Sequence, residues 1–283
     1  MFESLSAAGC GDAELLAQGT AMRDALVEDL RRAGDWMVDS ADRAVGGDAD
    51  ALDVVAQTSI SYDRVWVIAP ETGRLLERLH GAVGAARWVG CDVASIEVAS
   101  SKRATAELLA AHGVQTALDF AARATRWVVK PDDGAGALDT RVHPTRERAA
   151  ADIAQRAMRC TLEPWVDGDA LSLSLVCAQG EADLLAINRQ RIAIDRDGAL
   201  AYQGVEVGAI GRSDARAAPL GRLAAQVARA LPGLRGCVGV DVVWHAVRGP
   251  VAIEINPRLT CAYVGLSAAL GRNVAAEVLK LHD

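Results

Sequence analysis

Two acidic side chains and an amide lie on neighbouring apolar segments near the C-terminus of the sequence. The run VAIEINPRLT, residues 251–260, carries Glu254 and Asn256 two positions apart. Side chains two apart on a strand point to the same face, so their oxygen atoms would meet there. The run VGVDVVWH, residues 238–245, precedes this segment across a short turn, and the two runs predict an antiparallel hairpin.

The register of this hairpin would bring two carboxylates together. A turn centred near Val247 places Asp241 opposite Glu254 and Gly239 opposite Asn256, and a slip of one residue would undo that pairing. Two carboxylates about 4 Å apart repel by roughly 4 kcal/mol at an effective dielectric constant near 20. A positive group is therefore expected between them.

That positive group has two candidate sources. Asp241, Glu254 and Asn256 form an all-oxygen set that suits a hard cation. Mg2+ typically keeps positions open for water and substrate phosphates, and Mn2+ would also suit these ligands. Alternatively, Arg258 or Arg235 neutralises the carboxylates in an internal salt bridge. The hairpin alone does not decide between the two hypotheses.

Lysine is rare in this chain. Only three of its 30 lysine and arginine residues are lysine: Lys102, Lys130 and Lys280. The pair Ser100-Ser101 predicts the N-cap of a helix over residues 102–112, which puts Lys102 in the first turn. A cation there opposes the helix dipole and so indicates a nearby anion, although a surface lysine is the alternative.

A loop containing two glycines follows Lys130, which ends the apolar run 127–129. Gly134 and Gly136 would let backbone N–H groups approach a phosphate closely. An ordinary hairpin turn is the alternative, because the same residues are common in turns. Neither G-x-G-x-x-G nor G-x-x-x-x-G-K-[ST] occurs anywhere in the sequence.

These segments, in this order, resemble those of the ATP-grasp carboxylate-amine ligases. That family has a lysine strand followed by a glycine loop, which WVVKPDDGAGALDT at residues 127–140 matches. Its hinge is matched by LEPWVDG at residues 162–168, and its acidic residue and E-x-N motif by Asp241 and residues 254–256. The resemblance covers about residues 98–270.

The resemblance implies an α/β (α+β) fold of the ATP-grasp type. A reduced N-terminal pre-ATP-grasp α/β domain would occupy residues 1–97 and lend a wall to the acceptor site. Two ATP-grasp subdomains would clasp the nucleotide: a central lid subdomain at residues 98–166 and a C-terminal subdomain with the metal site at residues 167–283.

The resemblance also implies ATP contacts for the lysines, for the glycines of the lid and for the hinge. The residues concerned are Lys102, Lys130, Gly134, Gly136, Glu163, Trp165, Val166 and Asp169. Glu163 would accept a hydrogen bond from the adenine amino group, and the backbone near Trp165 and Val166 would meet the adenine edge. For the ribose only Asp167 or Asp169 is available.

Two arginines are implied to bind the transferred phosphate. Arg189 and Arg191 lie on one face of the predicted strand 186–194, and Arg191 is expected to reach the phosphate; an exposed charged strand face is the alternative. Arg258 would hold an acyl phosphate bidentately or pair with Glu254 in the core.

The reaction implied by the resemblance is activation of a carboxylate by ATP, with Mg2+, to an acyl phosphate that an amine then attacks. The runs VVKPDDGAGALDT and EINPRLTCAYVGL most resemble tyramine-glutamate ligases of methanofuran biosynthesis, in one-carbon metabolism, although Cys261 and Ala262 depart from the Thr-Thr-Ser expected there. An amino acid and an amine would be the substrates. A non-catalytic nucleotide-binding regulator is the alternative, but the facing carboxylates argue against it.

Composition limits the class of protein. The 283 residues, 51% hydrophobic with mean hydropathy +0.13, allow two or three packed units. A net charge of −7 disfavours nucleic acid as a partner.

Six scattered cysteines without C-x-x-C spacing predict reduced thiols. The acidic N-terminus and short apolar runs predict no signal peptide and no membrane association, hence a cytoplasmic protein, and a homodimer stays open.

The elements that position the site follow from the apolar pattern. The predicted strands outside the hairpin include residues 1–5, 64–69, 88–91, 171–176 and 186–194. The predicted helices include residues 13–33, 71–80, 146–159 and 219–231. Glycine-containing loops are predicted at residues 7–11 and 202–211.

Overall fold

The computed structural model describes residues 10–34, 36–41 and 48–282, which form a mixed α/β fold. Within these residues the strands form sheets of two, three and five strands. The predicted strand 1–5 and most of the predicted loop 7–11 lie outside the described residues.

The N-terminal part combines helices with a two-stranded parallel sheet. Its elements are α1 (Cys10–Ala33), α2 (Asp48–Ser59), β1 (Val65–Trp66), α3 (Leu75–Val83), β2 (Trp88–Val89) and α4 (Val93–Ala99). Helix α3 begins later than predicted because a 3-10 turn at Thr72–Arg74 precedes it, with Gly73 and Arg74 in the left-handed region at φ 63° and 58°. The sequence pattern did not predict α2 or α4.

The middle of the chain forms a three-stranded antiparallel sheet in the order β4-β3-β5. Its elements are α5 (Lys102–Ala111), β3 (Trp127–Pro131), β4 (Arg141–His143), α6 (Arg146–Gln155) and β5 (Cys160–Pro164). The predicted N-cap is confirmed, because the Ser101 side chain accepts a hydrogen bond from the Ala104 N–H at 3.1 Å.

The C-terminal part contains the large sheet, with antiparallel strands in the order β10-β9-β6-β7-β8. Its elements are β6 (Asp169–Ala178), β7 (Glu181–Ile194), β8 (Leu200–Ile210), α7 (Ala217–Ala230), β9 (Gly236–His245), β10 (Gly249–Asn256), α8 (Leu266–Leu270) and α9 (Val274–Lys280). The predicted strands 171–176 and 186–194 and the predicted helix 219–231 are confirmed.

The prediction of a loop at residues 202–211 is wrong, since β8 runs through them as an edge strand. Gly204 and Gly208 lie in this strand at φ 110° and 68°. The pairing of β7 with β8 shifts register at two places, between Ile187 and Arg189 and between Gln190 and Ile192. Glycine inside a strand often marks such irregularities, so the glycines indicated bulges rather than a loop.

Leucine and serine residues alternate along β6, so the large sheet has one apolar face and one polar face. Leu171, Leu173 and Leu175 are at most 1% exposed and belong to a core that includes Leu220 of α7. Burying each leucine contributes about 1.5–3 kcal/mol. Ser172, between these leucines, lies on the opposite face and pairs with Asp241 of β9. The helix-covered face therefore holds the sheet in place, while the other face carries the polar groups.

The cysteines whose side chains the structure describes are free thiols. Cys91 and Cys177 are fully buried, and burial raises the pKa of Cys91 to about 12. The cysteines that form no disulfide are Cys91, Cys160, Cys177, Cys237 and Cys261. Across residues 10–34, 36–41 and 48–282, no helix has the length and apolar character needed to cross a membrane.

Candidate nucleotide and metal site

A cavity of about 610 Å³ lies between the three-stranded and the five-stranded sheet. The predicted site residues that line it are Lys102, Lys130, Gly134, Gly136, Glu163, Trp165, Val166, Asp169, Asp241, Glu254, Asn256 and Arg258. Arg191 is exposed and does not line the cavity. The fold thus brings together residues that are up to 156 positions apart, from Lys102 to Arg258.

The hairpin β9–β10 has the predicted register at the site. Asp241 lies opposite Glu254, and Gly239 lies opposite Asn256. A bulge between Ala252 and Glu254 produces this pairing, because the strands are shifted by one residue nearer the turn.

Gly239, opposite Asn256, leaves room for the side chain of Thr260. A Cβ atom on Gly239 would lie 2.6 Å from Thr260 Cγ2, closer than side chains tolerate. The lack of a side chain at this position therefore lets the segment after β10 fold back over the strand.

Two polar contacts surround the facing carboxylates. Lys102 Nζ lies 3.2 Å from Glu254 Oε1 and also donates to the Gly134 carbonyl oxygen. Gln190 Nε2 donates to Asp241 Oδ1 at 3.0 Å. Lys102 is only 6% exposed, so it is not a surface lysine. The position of Lys102 in the first turn of α5 indicated a nearby anion, and Glu254 is such a group.

The carboxylates carry more negative charge than these contacts balance. Burial and the charge of Glu254 raise the pKa of Asp241 to about 7, against opposing effects of Lys102, Arg258 and Gln190. Burial acts to lower the pKa of Lys102, but the charge and hydrogen bond of Glu254, together with the charges of Glu71 and Glu163, raise it overall, which favours the charged ammonium.

The oxygen set fits a hard divalent cation beside substrate phosphates. Asp241, Glu254 and Asn256 supply two carboxylates and an amide on one wall of the cavity. In the part of the chain that the structure describes, no group of three or more His, Cys, Asp or Glu side chains could hold a metal ion. A metal here would therefore depend on ligands from water or phosphate as well as from protein.

Arg258 is paired with a residue that the sequence did not single out. Its Nε and Nη2 atoms lie 2.9 and 3.0 Å from the two carboxylate oxygens of Glu71, which is 4% exposed. Of the two arginines considered as the neutralising group, Arg235 is exposed, whereas the charge of Arg258 acts on Asp241 although its direct partner is Glu71. The direct ion pair with Glu254 is made by Lys102.

Lys130 and Glu163 form a buried ion pair on the other wall. Lys130 Nζ lies 2.8 Å from Glu163 Oε2, and the two residues are 5% and 3% exposed. The second oxygen, Glu163 Oε1, is buried without a hydrogen-bond partner in the described chain. A buried acceptor of this kind fits an amino-group donor such as that of adenine.

The hinge after β5 places its acidic residues in ion pairs. Asp167 contacts Arg126 and accepts from Trp165 Nε1 at 3.0 Å, while Asp169 lies 3.1 Å from Arg216 Nη1. Asp169 also lines the cavity, whereas Asp167 does not, so Asp169 is the better placed of the two ribose candidates.

The loop between β3 and β4 lines the cavity with four consecutive residues. Gly134, Ala135, Gly136 and Ala137 all line it, and within the described residues no acceptor pairs with their N–H groups. Gly136 and Ala137 adopt left-handed φ angles of 67° and 62°. Successive N–H groups in such conformations favour an anion, and we call residues 132–139 the lid loop.

The start of the lid loop is fixed by Asp132, a contact that the sequence did not predict. Its carboxylate accepts from the Ser101 hydroxyl at 2.8 Å and from the Arg103 N–H at 3.0 Å, at the N-terminus of α5. The neighbouring Asp133 accepts from the Gly73 N–H at 2.9 Å. Both contacts tie the lid loop to elements that precede it in the chain.

Gln190 was not predicted as a site residue, because the arginines beside it carry the charge expected near a phosphate. Arg189 and Arg191 share a face of β7 in an alternating strand, so Gln190 lies on the other face, where it reaches Asp241. The signal for Gln190 is its place on the strand face that points toward the facing carboxylates. Arg189 contributes to the cavity wall.

The N-terminal part supplies one side of the cavity, as expected. Gln18, Gly19 and Met22 of α1 line it together with residues 68–70. Cys261 donates to Gln18 Oε1 at 3.3 Å and so joins this side to the segment after β10.

Two sheets enclose one cavity that buried lysines and facing carboxylates line. The ATP-grasp domain matches residues 99–262, and the pre ATP-grasp 3 domain matches residues 19–96. The chain therefore belongs to the ATP-grasp family. No curated protein matches the sequence.

Solved structures are similar in fold at low identity. A protein assigned to the ATP-grasp superfamily from Archaeoglobus fulgidus has a TM-score of 0.69 at 22% identity over 93% of this chain and 81% of its own. An L-amino acid ligase from Bacillus licheniformis has 0.63 at 18% over 90% and 70%. A biotin carboxylase from Campylobacter jejuni, as a beta-gamma-ATP complex, has 0.70 at 14% over 93% and 68%. These similarities show the fold alone.

Mg-ATP is expected to protect the lid loop from proteolysis, because phosphate would pair with its N–H groups and order it. Limited digestion with a protease of broad specificity should cut within residues 132–139 at least several-fold more slowly when Mg-ATP is present. The turn at residues 246–248, where Val247 is 89% exposed, serves as the internal control and should be cut at the same rate. Equal protection at both places would contradict the prediction.

Proposed function

We propose that this protein is an ATP-dependent ligase that joins a carboxylate to an amine through an acyl phosphate. The convergence of buried lysines, lid-loop N–H groups and facing carboxylates on one cavity carries the proposal. A carboxylate oxygen attacks the γ-phosphorus of ATP, and ADP leaves. The amine nitrogen then attacks the acyl carbon, inorganic phosphate leaves, and the nitrogen loses a proton.

The nucleotide is held by the lid side of the cavity. Lys102, Lys130 and the N–H groups of the lid loop bind the triphosphate as donors. Glu163 accepts from the adenine amino group through Oε1, and Asp169 is the ribose candidate. The solved ATP complex of a protein with similar fold supports ATP as the nucleotide.

The reacting groups are held by the hairpin side of the cavity. Asp241, Glu254 and Asn256 bind Mg2+ or Mn2+, which neutralises phosphate charge when bound. Arg258 holds the carboxylate and then its acyl phosphate, while Gln190 fixes Asp241. Catalysis consists of positioning and charge neutralisation, with no covalent enzyme intermediate.

For the substrates we propose the γ-carboxylate of L-glutamate and the amine of tyramine or a tyrosine-like compound, in methanofuran-type cofactor biosynthesis. The resemblance of residues 128–140 and 254–266 supports this pair. Apolar lining residues support it too, because Met22, Ile68 and Tyr202 offer surface against which an aromatic ring could pack.

The test is formation of a γ-glutamyl hydroxamate from glutamate, Mg-ATP and hydroxylamine, which intercepts the acyl phosphate. ADP release should rise with glutamate plus tyramine or tyrosine, measured beside a panel of other acids and amines. If another pair releases ADP and this pair does not, the substrate assignment fails and the ligase class stands. If no pair releases ADP while ATP binds, the protein is a nucleotide-binding regulator.

A further inference from the structure

Glu71 lies outside the cavity but touches a side chain that lines it. Its two carboxylate oxygens accept from Nε and Nη2 of Arg258 at 2.9 and 3.0 Å. A bidentate contact of this kind fixes the plane of the guanidinium as well as its position. Glu71 and Arg258 are 187 residues apart in the chain, so folding of the pre-ATP-grasp part creates the contact.

The contact leaves part of the guanidinium available to a ligand. Guanidinium has five N–H donors, of which Glu71 takes one on Nε and one on Nη2. Nη1 donates to the Leu259 carbonyl oxygen at 3.3 Å. Because Arg258 lines the cavity and Glu71 does not, a ligand there meets the donors that remain on Nη1 and Nη2.

Glu71 is itself held on two sides. Its carbonyl oxygen accepts from the Arg74 N–H at 3.0 Å within the 3-10 turn, and Leu75 and Leu76 after that turn are buried. Gly73, in the same turn, donates its N–H to Asp133 of the lid loop at 2.9 Å. The turn is therefore fixed against both the core and the lid loop, and Glu71 cannot easily follow a moving arginine.

We propose that Glu71 is a positioning residue of the pre-ATP-grasp domain, which holds Arg258 in the orientation that binds the carboxylate substrate and its phosphorylated form. The inference rests on the proposed function. Glu71 contacts no substrate. Glu71 orders the flexible side chain of Arg258 before the ligand binds. Less conformational entropy is then lost on binding, which is how a preorganised site gains affinity and rate.

Glu71→Gln is expected to lower kcat/KM for the carboxylate at least about tenfold, because a misplacement near 1 Å can cost about 100-fold. The affinity for Mg-ATP should fall by a much smaller factor than kcat/KM, since Glu71 does not line the cavity and acts on Lys102 only through its charge. Glu77→Gln is the matched control: Glu77 pairs bidentately with Arg74 at 2.7 and 2.6 Å, away from the cavity, and should leave kcat/KM unchanged. A merely structural role would lower melting temperature without this selective loss.

A double-mutant cycle tests whether Glu71 acts through Arg258. In the Arg258→Gln background, Glu71→Gln should cause no further loss of kcat/KM, whereas independent, additive losses would overturn the proposal. The double variant removes both buried charges, so it tolerates the change better than either single variant. If Glu71→Gln does not fold, Glu71→Asp should give a smaller loss of the same kind, and parental kcat/KM would overturn the proposal.

Absence of ligase activity can be distinguished from absence of the positioning role of Glu71. A parent protein that releases no ADP with any acid and amine pair refutes the ligase activity, and the cycle is then measured by binding of inorganic phosphate in the presence of Mg-ADP. Glu71→Gln should weaken phosphate binding at least about tenfold if Arg258 is misplaced. Parental phosphate affinity in Glu71→Gln would overturn the positioning role.

Discussion

Asp241→Asn and Glu254→Gln should each lower Mg-ATP-dependent ADP release by about 100-fold or more. Each substitution removes a ligand charge with little change of volume, and a bound metal ion contributes several kcal/mol to phosphoryl transfer, at about 1.4 kcal/mol per factor of ten. Steady-state ADP release across Mg2+ concentrations measures the loss. Circular dichroism should show both variants folded.

The matched control is Asp183→Asn on β7 of the same sheet. Asp183 lies 3.1 Å from Arg272 on the exposed surface and does not line the cavity, so activity should stay within about twofold of the parent's. Parental activity in both Asp241→Asn and Glu254→Gln would end the metal hypothesis.

Stability should respond to pH and to Mg2+ in a direction that separates a metal site from a structural ion pair. Burial and the neighbouring Glu254 raise the pKa of Asp241 to about 7. A carboxyl group with a raised pKa contributes stability below its unfolded pKa of about 3.9, and the contribution is lost as pH rises through about 7. The metal-free parent should therefore lose melting temperature relative to Asp241→Asn between pH 5 and pH 8, and Mg2+ should restore it at pH 8. A structural pair would instead make Asp241→Asn the less stable protein at pH 8.

The hairpin shows how much of the strand register can be predicted from the local sequence pattern. Strand periodicity and a short turn predicted that Asp241 faces Glu254, and the structure has this pairing. Nearer the turn, however, Val251 pairs with Val243, and continuing that register would have set Glu254 opposite Val240. The bulge beside Glu254 corrects the offset. Nothing in the local sequence distinguishes a bulge there from regular pairing, so the predicted register depended on where the turn was centred.

The individual contacts between distant segments could not be predicted from the residues themselves. Glu71 belongs to a stretch that looked like the start of a helix, and its pairing with Arg258 depends on how the pre-ATP-grasp part packs. The lysines were different, because the rarity of lysine in an arginine-rich chain indicated a role for Lys102 and Lys130. Both are buried beside carboxylates in the cavity. Residue type thus indicated which side chains matter, while their partners required the fold.

Lys130→Arg should weaken Mg-ATP binding at least about tenfold although the positive charge is kept. Lys130 is 5% exposed and its Nζ lies 2.8 Å from Glu163, so the site is built around a compact ammonium. A planar guanidinium needs more room and presents its donors in a fixed fork, which a buried phosphate site shaped for lysine accommodates poorly. Displacing the pair would also disturb Glu163, whose second oxygen is the proposed acceptor for adenine.

Titration calorimetry with Mg-ATP measures this effect, with Lys280→Arg as the matched control. Lys280, the third lysine, is exposed at the end of α9 and should tolerate arginine with unchanged affinity. Lys130→Met should be less stable than Lys130→Arg, because it leaves Glu163 without its buried partner at a cost of about 3–5 kcal/mol. Parental ATP affinity in a folded Lys130→Arg variant would rule out a phosphate contact by Lys130 and reduce the pair with Glu163 to a structural one.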